Sequence, residues 1–172
     1  MTRYLAAIDL GKTKVGWSLW YVDGDEVRAL VGRGTVRAPG RSPPRNVASR
    51  VREAVCGALN NHPLLGRHNN FLEWVCEWPM KYPDKTKYHK DLDALYAVGD
   101  SMEAAGAVWS VKYRPGAWKG NVPKAIHHRR LATALHWHLV QHPIVPFSEH
   151  DTWDAIGIGA FHLGLTKRGG VV

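Results

Sequence analysis

The sequence has few cysteines, no long hydrophobic run and, in its middle, no acidic residues. Its two cysteines, Cys56 and Cys76, are too few for a disulfide framework and lack the close spacing of a zinc site. No apolar stretch approaches the ~20 residues of a membrane span. Asp9 interrupts the first apolar run before a signal-peptide core could form. We therefore expect a cytoplasmic protein with no membrane partner and with free thiols.

Basic residues outnumber acidic ones, and they do so unevenly. The 172 residues carry 23 Lys and Arg against 15 Asp and Glu, a formal charge of +8. Between residues 104 and 148 Lys and Arg occur without any Asp or Glu, and aromatic residues lie among them. This pattern favours a nucleic acid, since cations contact phosphates and rings stack on bases; a basic surface without a specific partner is the alternative. The candidate nucleic-acid-binding residues are Lys81, Tyr82, Lys85, Lys87, Arg114, Trp118, Lys119, Lys124, Arg129 and Arg130.

The hydropathy pattern predicts five strands. Three β-forming segments joined by short connections, over residues 4–9, 14–22 and 26–36, are typical of an antiparallel meander. A fourth strand is expected over residues 71–77, closed by the Trp-Pro pair that follows it, and a fifth over residues 107–111. Because these last two strands alternate with helical segments, we expect them to be parallel.

Helical periodicity accounts for most of the remaining chain. Asn46 suits the N-cap of a helix that runs to about residue 59. Further helices are expected over residues 92–105, over 123–138 and from about 149–151 to 163. The order implies an α/β protein with a mixed sheet and helices on both faces. With 45% hydrophobic residues the chain can build a real core, so we expect one domain over residues 1–172.

Four carboxylates on three of these elements could carry chemistry. Asp9 ends the first strand, Glu77 ends the fourth, and Asp151 and Asp154 lie on nearly the same face of the last helix. Each also has an ordinary interpretation, as a turn residue, a solvated strand end or a favourable charge at a helix start. Together, hard oxygen ligands suit Mg²⁺ or Mn²⁺, and two such ions roughly 4 Å apart can clamp the attacking and leaving oxygens of a phosphodiester. His150 is a further ligand candidate.

The motifs around these carboxylates resemble those of a known family. They are Ala7-Ile8-Asp9-Leu10-Gly11 followed by Gly16-Trp17-Ser18, then Glu77 on the fourth strand, and finally Asp151-x-x-Asp154-Ala155. The segment Arg114-Pro115-Gly116-Ala117-Trp118-Lys119 is similar to a further Pro-x-x-x-Lys motif. In their joint order they resemble the RuvC family of Holliday-junction resolvases, most of all its bacteriophage members. Asp-x-Gly also occurs in actin-like ATPases, but these need about twice this length.

The resemblance implies an RNase H-like fold and an endonuclease that resolves Holliday junctions and other branched DNA. Asp9, Glu77, Asp151 and Asp154 would hold two Mg²⁺ ions, with Mn²⁺ able to replace them. Lys119 would stabilise charge on the phosphate, and Lys124 would contact the same or a neighbouring phosphate. Hydrolysis would leave 5′-phosphate and 3′-hydroxyl ends. Two copies in a homodimer would nick symmetry-related strands, in the cytoplasm of a bacterium or of a phage-infected cell.

Two other functions remain open from the sequence. A YqgF-like nuclease of the same fold would act on RNA, and its first-strand motif is similar, but it lacks the basic Pro-x-x-x-Lys region found here. A protein that binds branched DNA without cutting it would need the basic residues and none of the carboxylates.

Overall fold

The structure, a computed structural model, describes residues 2–39, 42–63, 71–80, 89–139 and 145–170. The strands are β1 (Thr2–Asp9), β2 (Lys14–Asp23), β3 (Glu26–Arg37), β4 (Phe71–Glu77) and β5 (Trp109–Tyr113). The helices are α1 (Pro44–Asn60), α2 (His89–Ala104), α3 (Pro115–Trp118), α4 (Lys124–Ala134), α5 (His136–Leu139) and α6 (His150–His162). No helix within these ranges is long and apolar enough to cross a membrane. Both cysteines are unpaired, as expected.

The strands form one mixed sheet in the order β3-β2-β1-β4-β5. Strands β1, β2 and β3 are antiparallel neighbours, whereas β4 runs parallel to β1 and β5 runs parallel to β4. The hairpin between β2 and β3 turns at Gly24, whose φ of +61° suits a residue without a Cβ. This arrangement confirms the predicted fold class, with three antiparallel strands followed by two parallel ones.

Successive residues of the central strand β1 face opposite layers of helices. Ala6 and Ile8 are fully buried in a cluster that includes Val51 of α1. Ala7 is equally buried on the other face, where it packs in a cluster with Ile156 of α6. Because both faces are covered, β1 is a nearly continuous apolar run rather than an alternating one. That run stops at the carboxyl end of the strand, where the sheet meets the start of α6.

Several predicted boundaries are wrong by two or three residues, and the structure gives a physical reason for two of them. Helix α1 begins at Pro44 rather than behind a cap at Asn46, because Pro43 takes the N-cap position and proline is tolerated in the first turn, where no N–H partner is lost. Strand β5 begins at Trp109 rather than at residue 107. The backbone N–H of Ala107 instead donates to a carbonyl in the last turn of α2, so this residue completes the helix end.

The helix predicted over residues 123–138 is divided into α4 and α5. The division falls at Leu135, whose φ of −100° and ψ of 13° lie outside helical values. Leu131 and Leu135 are both fully buried, so the end of α4 is fixed in the core before α5 starts at His136. The sequence does not predict α3, because one turn opened by Pro115 is too short to show a period.

Helix α6 lies close to its neighbours because small residues face them. A Cβ added at Gly16 of β2 would collide with the backbone oxygen of Asp151, and one at Gly159 would collide with the ring of Trp20. A Cβ at Gly157 would lie 2.5 Å from the ring of Trp118. Gly16 therefore lets the start of α6 pack directly on β2, and Gly157 and Gly159 let its second half pack on two tryptophan rings.

We expect Gly157→Ala to lower the free energy of unfolding by about 1–3 kcal/mol, because the added methyl group would overlap the buried ring of Trp118. Gly57→Ala is the matched control, since nothing lies within 4 Å of a Cβ there. Alanine is also the better helix former, by about 1 kcal/mol. Urea unfolding followed by circular dichroism measures both variants. An unchanged or raised midpoint for Gly157→Ala would contradict the packing of α6.

Candidate active site

Carboxylates from three elements meet at the carboxyl ends of β1 and β4. Asp9 and Glu77 are partners across these parallel strands, so their side chains lie on the same face of the sheet. Helix α6 covers that face and contributes Asp154, whose side chain is 1% exposed. The charges of Asp154 and Glu77 both act on Asp9. The structure thus brings together three of the four carboxylates that the sequence singles out.

Two side-chain contacts fasten the first turns of α6 to the sheet. The hydroxyl of Ser18 on β2 donates to the backbone oxygen of Ala155 at 2.9 Å. The hydroxyls of Thr35 on β3 and Thr152 on α6 lie 2.8 Å apart. Because these contacts flank Asp154 in sequence, strands β2 and β3 fix the position of this residue on α6.

Helix α3 brings a lysine between the carboxylates. The ring of Trp118 is buried, and its Nε1–H donates to Oε2 of Glu77 at 2.7 Å. The next residue, Lys119, is 19% exposed, and its Nζ lies 3.6 Å from Oε2 of Glu77 and 3.9 Å from Oδ2 of Asp154. The Pro-x-x-x-Lys segment therefore places a largely buried cation at the centre of the acidic group.

Asp154 is held on both oxygens. Its Oδ1 accepts from Nε2 of His128 at 3.0 Å, and its Oδ2 lies 2.6 Å from Nζ of Lys124. Burial by itself raises the pKa of Asp154, but the hydrogen bond from His128 and the charges of Lys119 and Lys124 outweigh it and bring the pKa down to about 2. Asp154 is therefore an ionised carboxylate at neutral pH.

The pKa of Asp9 is shifted in the opposite direction to that of Asp154. Burial raises its pKa well above the usual range, and the charges of Asp154 and Glu77 raise it further, while Lys119 and Lys124 oppose the shift only in part. Burial and the two neighbouring carboxylates thus disfavour the ionised form of Asp9 even with two lysines beside it. A hard cation bound here would favour that ionised form.

A divalent metal ion suits these donors but has no ready-made cage. Within the described residues, no group of three or more His, Cys, Asp or Glu side chains is arranged to hold a metal ion. The ammonium groups of Lys119 and Lys124 lie against the carboxylates instead. The donor set is nevertheless made of carboxylate oxygens, which Mg²⁺ and Mn²⁺ prefer, and the pKa of Asp9 is raised by burial and then by the charges of the two neighbouring carboxylates. The residues therefore fit such an ion.

The remaining ligand candidates lie at the rim. Asp151 is partly buried, its backbone packs on Gly16, and its charge helps to raise the pKa of Lys124 against the opposing effect of burial. His150 is exposed, and its ring lies over that of His128 at 5.4 Å between centroids. Both are near the carboxylates, and neither is among the groups in direct contact with them.

The predicted nucleic-acid contacts fall into three sets. Arg114, Arg129 and Arg130 are exposed, and Lys124 is about half exposed at the site. The sequence predicts Trp118 as a nucleic-acid contact, but its ring is 1% exposed and its Nε1–H donates to Glu77, so the ring is not open to a base in this structure. Residues Lys81, Tyr82, Lys85 and Lys87 lie outside the described residues.

Sequence reasoning missed His128. It lies in a His-His-Arg-Arg run within residues 104–148, which contain no Asp or Glu and which we call the acid-free segment. A basic helix exposed to solvent is the natural expectation there. In the structure its side chain is fully buried, because Gly157 lets α4 approach α6. Only the spacing of four residues from Lys124, which places both on one face of α4, could have indicated a shared partner.

We expect His128→Ala to destabilise the protein by about 2–4 kcal/mol. The change removes a hydrogen bond to a buried carboxylate and leaves Asp154 with less compensation. His136→Ala is the control, because His136 is exposed on α5 and its loss should change stability by less than about 0.5 kcal/mol. Thermal unfolding at neutral pH compares the two. Equal effects would contradict the role of His128.

The class of fold is defined by this arrangement. A five-stranded mixed sheet in the order β3-β2-β1-β4-β5 with flanking helices matches the RNase H-like fold. Within that class the likeness is to RuvC. The structure matches that of Thermus thermophilus RuvC in complex with Holliday junction substrate with a TM-score of 0.56 and 20% identity, over 95% of this chain and 98% of the other.

A second structure of Thermus thermophilus RuvC matches with a TM-score of 0.54, at the same 20% identity and over the same 95% and 98% of the two chains. At 20% identity this similarity establishes the fold. It confirms that the chain resembles RuvC in its fold. No protein-family model and no curated protein sequence matches the chain significantly.

Proposed function

We propose that the chain is a divalent-metal-dependent endonuclease that cuts branched DNA, with the four-way Holliday junction as its principal substrate. The observation that carries this proposal is the convergence of Asp9, Glu77 and Asp154 with two lysines at one edge of the sheet. Asp154 and Glu77 lie close enough to the buried Asp9 for their charges to raise its pKa, although two lysines oppose the shift. The RuvC-like fold supports the same conclusion, because the Thermus protein of this fold is seen with a Holliday junction substrate.

Asp9, Glu77 and Asp154 would hold two Mg²⁺ ions, with Asp151 completing the set from the rim. Bound there, the ions would supply Lewis-acid stabilisation of a phosphodiester and of the groups that attack and leave it. The chain itself contributes the fixed carboxylates and a cation beside them. Lys119, held between Glu77 and Asp154, would move to a non-bridging phosphate oxygen and stabilise its developing charge. We propose 5′-phosphate and 3′-hydroxyl product ends.

The acid-free segment would bind the DNA backbone near this site. Helix α4 carries Lys124 and the exposed Arg129 and Arg130. Its first residue, Lys124, contacts Asp154, so the helix leads away from the carboxylates. Phosphate contacts of this kind position DNA without reading its sequence. Two strands must be cut to resolve a junction, and the described chain offers one site, so we also propose a homodimer of single-domain subunits with two-fold symmetry.

A cleavage assay on synthetic DNA tests the proposal. Labelled four-way junctions, flaps, linear duplexes of the same sequence and a single-stranded RNA are incubated with Mg²⁺ or Mn²⁺ and analysed on denaturing gels. We expect paired cuts near the branch point of the junction, little cutting of linear duplex and none without metal. Preferential cleavage of the RNA, or junction binding without cleavage in either metal, would contradict the proposal.

A further inference from the structure

A second, basic and aromatic depression lies away from the carboxylates, between α4 and α5. We call it the α4–α5 groove. It is a shallow depression, open to solvent, with a volume of about 730 Å³. The lining residues come from both helices and from the start of the segment before α6: Arg129, Ala132, Thr133, His136, Trp137 and Phe147.

Two large aromatic rings of this groove are exposed. Trp137 is 81% exposed and Phe147 is 49% exposed, although large rings are usually withdrawn from water. The ring of Trp137 contacts His136 edge to face, with centroids 5.4 Å apart. The ring of Phe147 stacks on the buried Trp153 at 5.4 Å with an interplanar angle of 15°. The two exposed rings thus offer flat apolar surfaces, and that of Phe147 is fixed by its stack on Trp153.

A stack of rings connects the groove with the carboxylates. Trp153 lies between Phe147 and His128, and the second pair is also nearly parallel, with centroids 6.1 Å apart and an angle of 22°. His128 in turn contacts Asp154. Along α4, the nine steps from Lys124 to Thr133 span about 13.5 Å at 1.5 Å per residue, or about four nucleotides of a stacked strand.

The positive charge around the groove favours a nucleic-acid strand as its occupant. Arg129 lies on its wall, and the whole segment from 104 to 148 contains no acidic residue. A second copy of this +8 chain would bring the same basic surface to the contact, whereas a nucleic-acid strand brings phosphates for Arg129 and bases for the rings. We propose that the α4–α5 groove binds an unpaired nucleobase of the DNA strand whose backbone passes the carboxylates. This inference rests on the proposed function.

A pair of probes that differ only in their bases tests this inference. The first is a fluorescein-labelled duplex with a single-stranded branch of four thymidines, and the second carries four abasic residues in the same branch. Their phosphates are equal, so any difference in Kd reports contact with bases. Fluorescence anisotropy without Mg²⁺ or Mn²⁺ should show the wild-type chain binding the thymidine probe about 5- to 100-fold more tightly.

Trp137→Ala should lose most of that preference while keeping the wild-type Kd for the abasic probe, and Trp137→Phe should restore part of it. Phe71→Ala is the matched control, because Phe71 is a 57% exposed ring at the other end of β4 from Glu77, and it should behave as wild type.

Three results would overturn the groove assignment. Trp137→Ala could keep the full preference for the thymidine probe, or it could lose affinity for both probes equally. A change in the sedimenting mass of Trp137→Ala would instead mark the groove as an interface between copies. A wild-type chain that binds neither probe would overturn the proposed function as well. The protein could also fail to cut junctions and yet show a base preference that depends on Trp137. That result would support the groove assignment and contradict the nuclease proposal.

Discussion

Replacing Asp9 by Asn should abolish cleavage of four-way junctions and yet raise the melting temperature of the metal-free protein. Activity should fall at least about a hundredfold, because a ligand and its charge are lost from the site that stabilises the reacting phosphate. Stability should rise because burial and the charges of Asp154 and Glu77 raise the pKa of Asp9. Such a group destabilises the fold as pH rises above its unfolded value of about 4, and Asn removes that charge.

Asp154→Asn should lose activity to a similar degree but lower stability. The pKa of Asp154 is depressed to about 2 in spite of burial, so its ionised form stabilises the fold above pH 4 and that contribution fades as pH falls towards 2. The side chain is almost wholly buried, and the shift corresponds to roughly 2 kcal/mol at pH 7.

Thermal melts with a chelator at pH 7, beside junction cleavage with Mg²⁺, measure both variants. Asp25→Asn serves as the control, since Asp25 lies in the exposed turn between β2 and β3 at the far end of the sheet. It should leave both quantities unchanged. Stability shifts of the same sign for Asp9→Asn and Asp154→Asn would contradict the electrostatics described for the site.

Lys119→Met should lower the rate of junction cleavage by roughly 10²- to 10³-fold, the loss typical of a donor aimed at developing charge. Its Nζ is the cation that lies between Glu77 and Asp154, and methionine keeps the length and most of the volume of the side chain. Junction affinity depends on many phosphate contacts, so its Kd should change less than about tenfold. Single-turnover kinetics and anisotropy separate the two effects.

The same substitution should make the protein more responsive to metal. Without Lys119, the repulsion among the carboxylates is less compensated, so added Mn²⁺ should raise the melting temperature more in Lys119→Met than in wild type. Arg28→Met is the control, because Arg28 forms ion pairs with Asp23 and Glu26 beside the distant β2–β3 turn. A rate loss matched by an equal loss of affinity would show that Lys119 only binds DNA.

Much of the fold could be predicted because its signals are local. The strand over 71–77 has the predicted limits, since Trp78-Pro79 closes it, and the continuous apolar run of β1 reflects burial on both faces. The convergence of Asp9 and Glu77 follows from their position at the ends of parallel neighbours.

The contacts of the site depend on packing that no local signal carries. Trp118 looks like a stacking residue in a basic segment, and only the fold turns its ring inward to Glu77. His128 is polar and lies among arginines, yet it is buried because Gly157 admits α4 at close range. The interposed lysines likewise follow from tertiary distances, so the sequence predicts the carboxylates as ligands but not their present ion pairs with Lys119 and Lys124.

Anomalous diffraction from crystals soaked in Mn²⁺ tests the central claim most directly, because it locates the ion without relying on activity. The account predicts Mn²⁺ bound by the carboxylates of Asp9, Glu77 and Asp154, with the ammonium groups of Lys119 and Lys124 displaced from them. Crystals that bind Mn²⁺ only elsewhere, or that leave both lysines paired with these carboxylates at saturating metal, would contradict it.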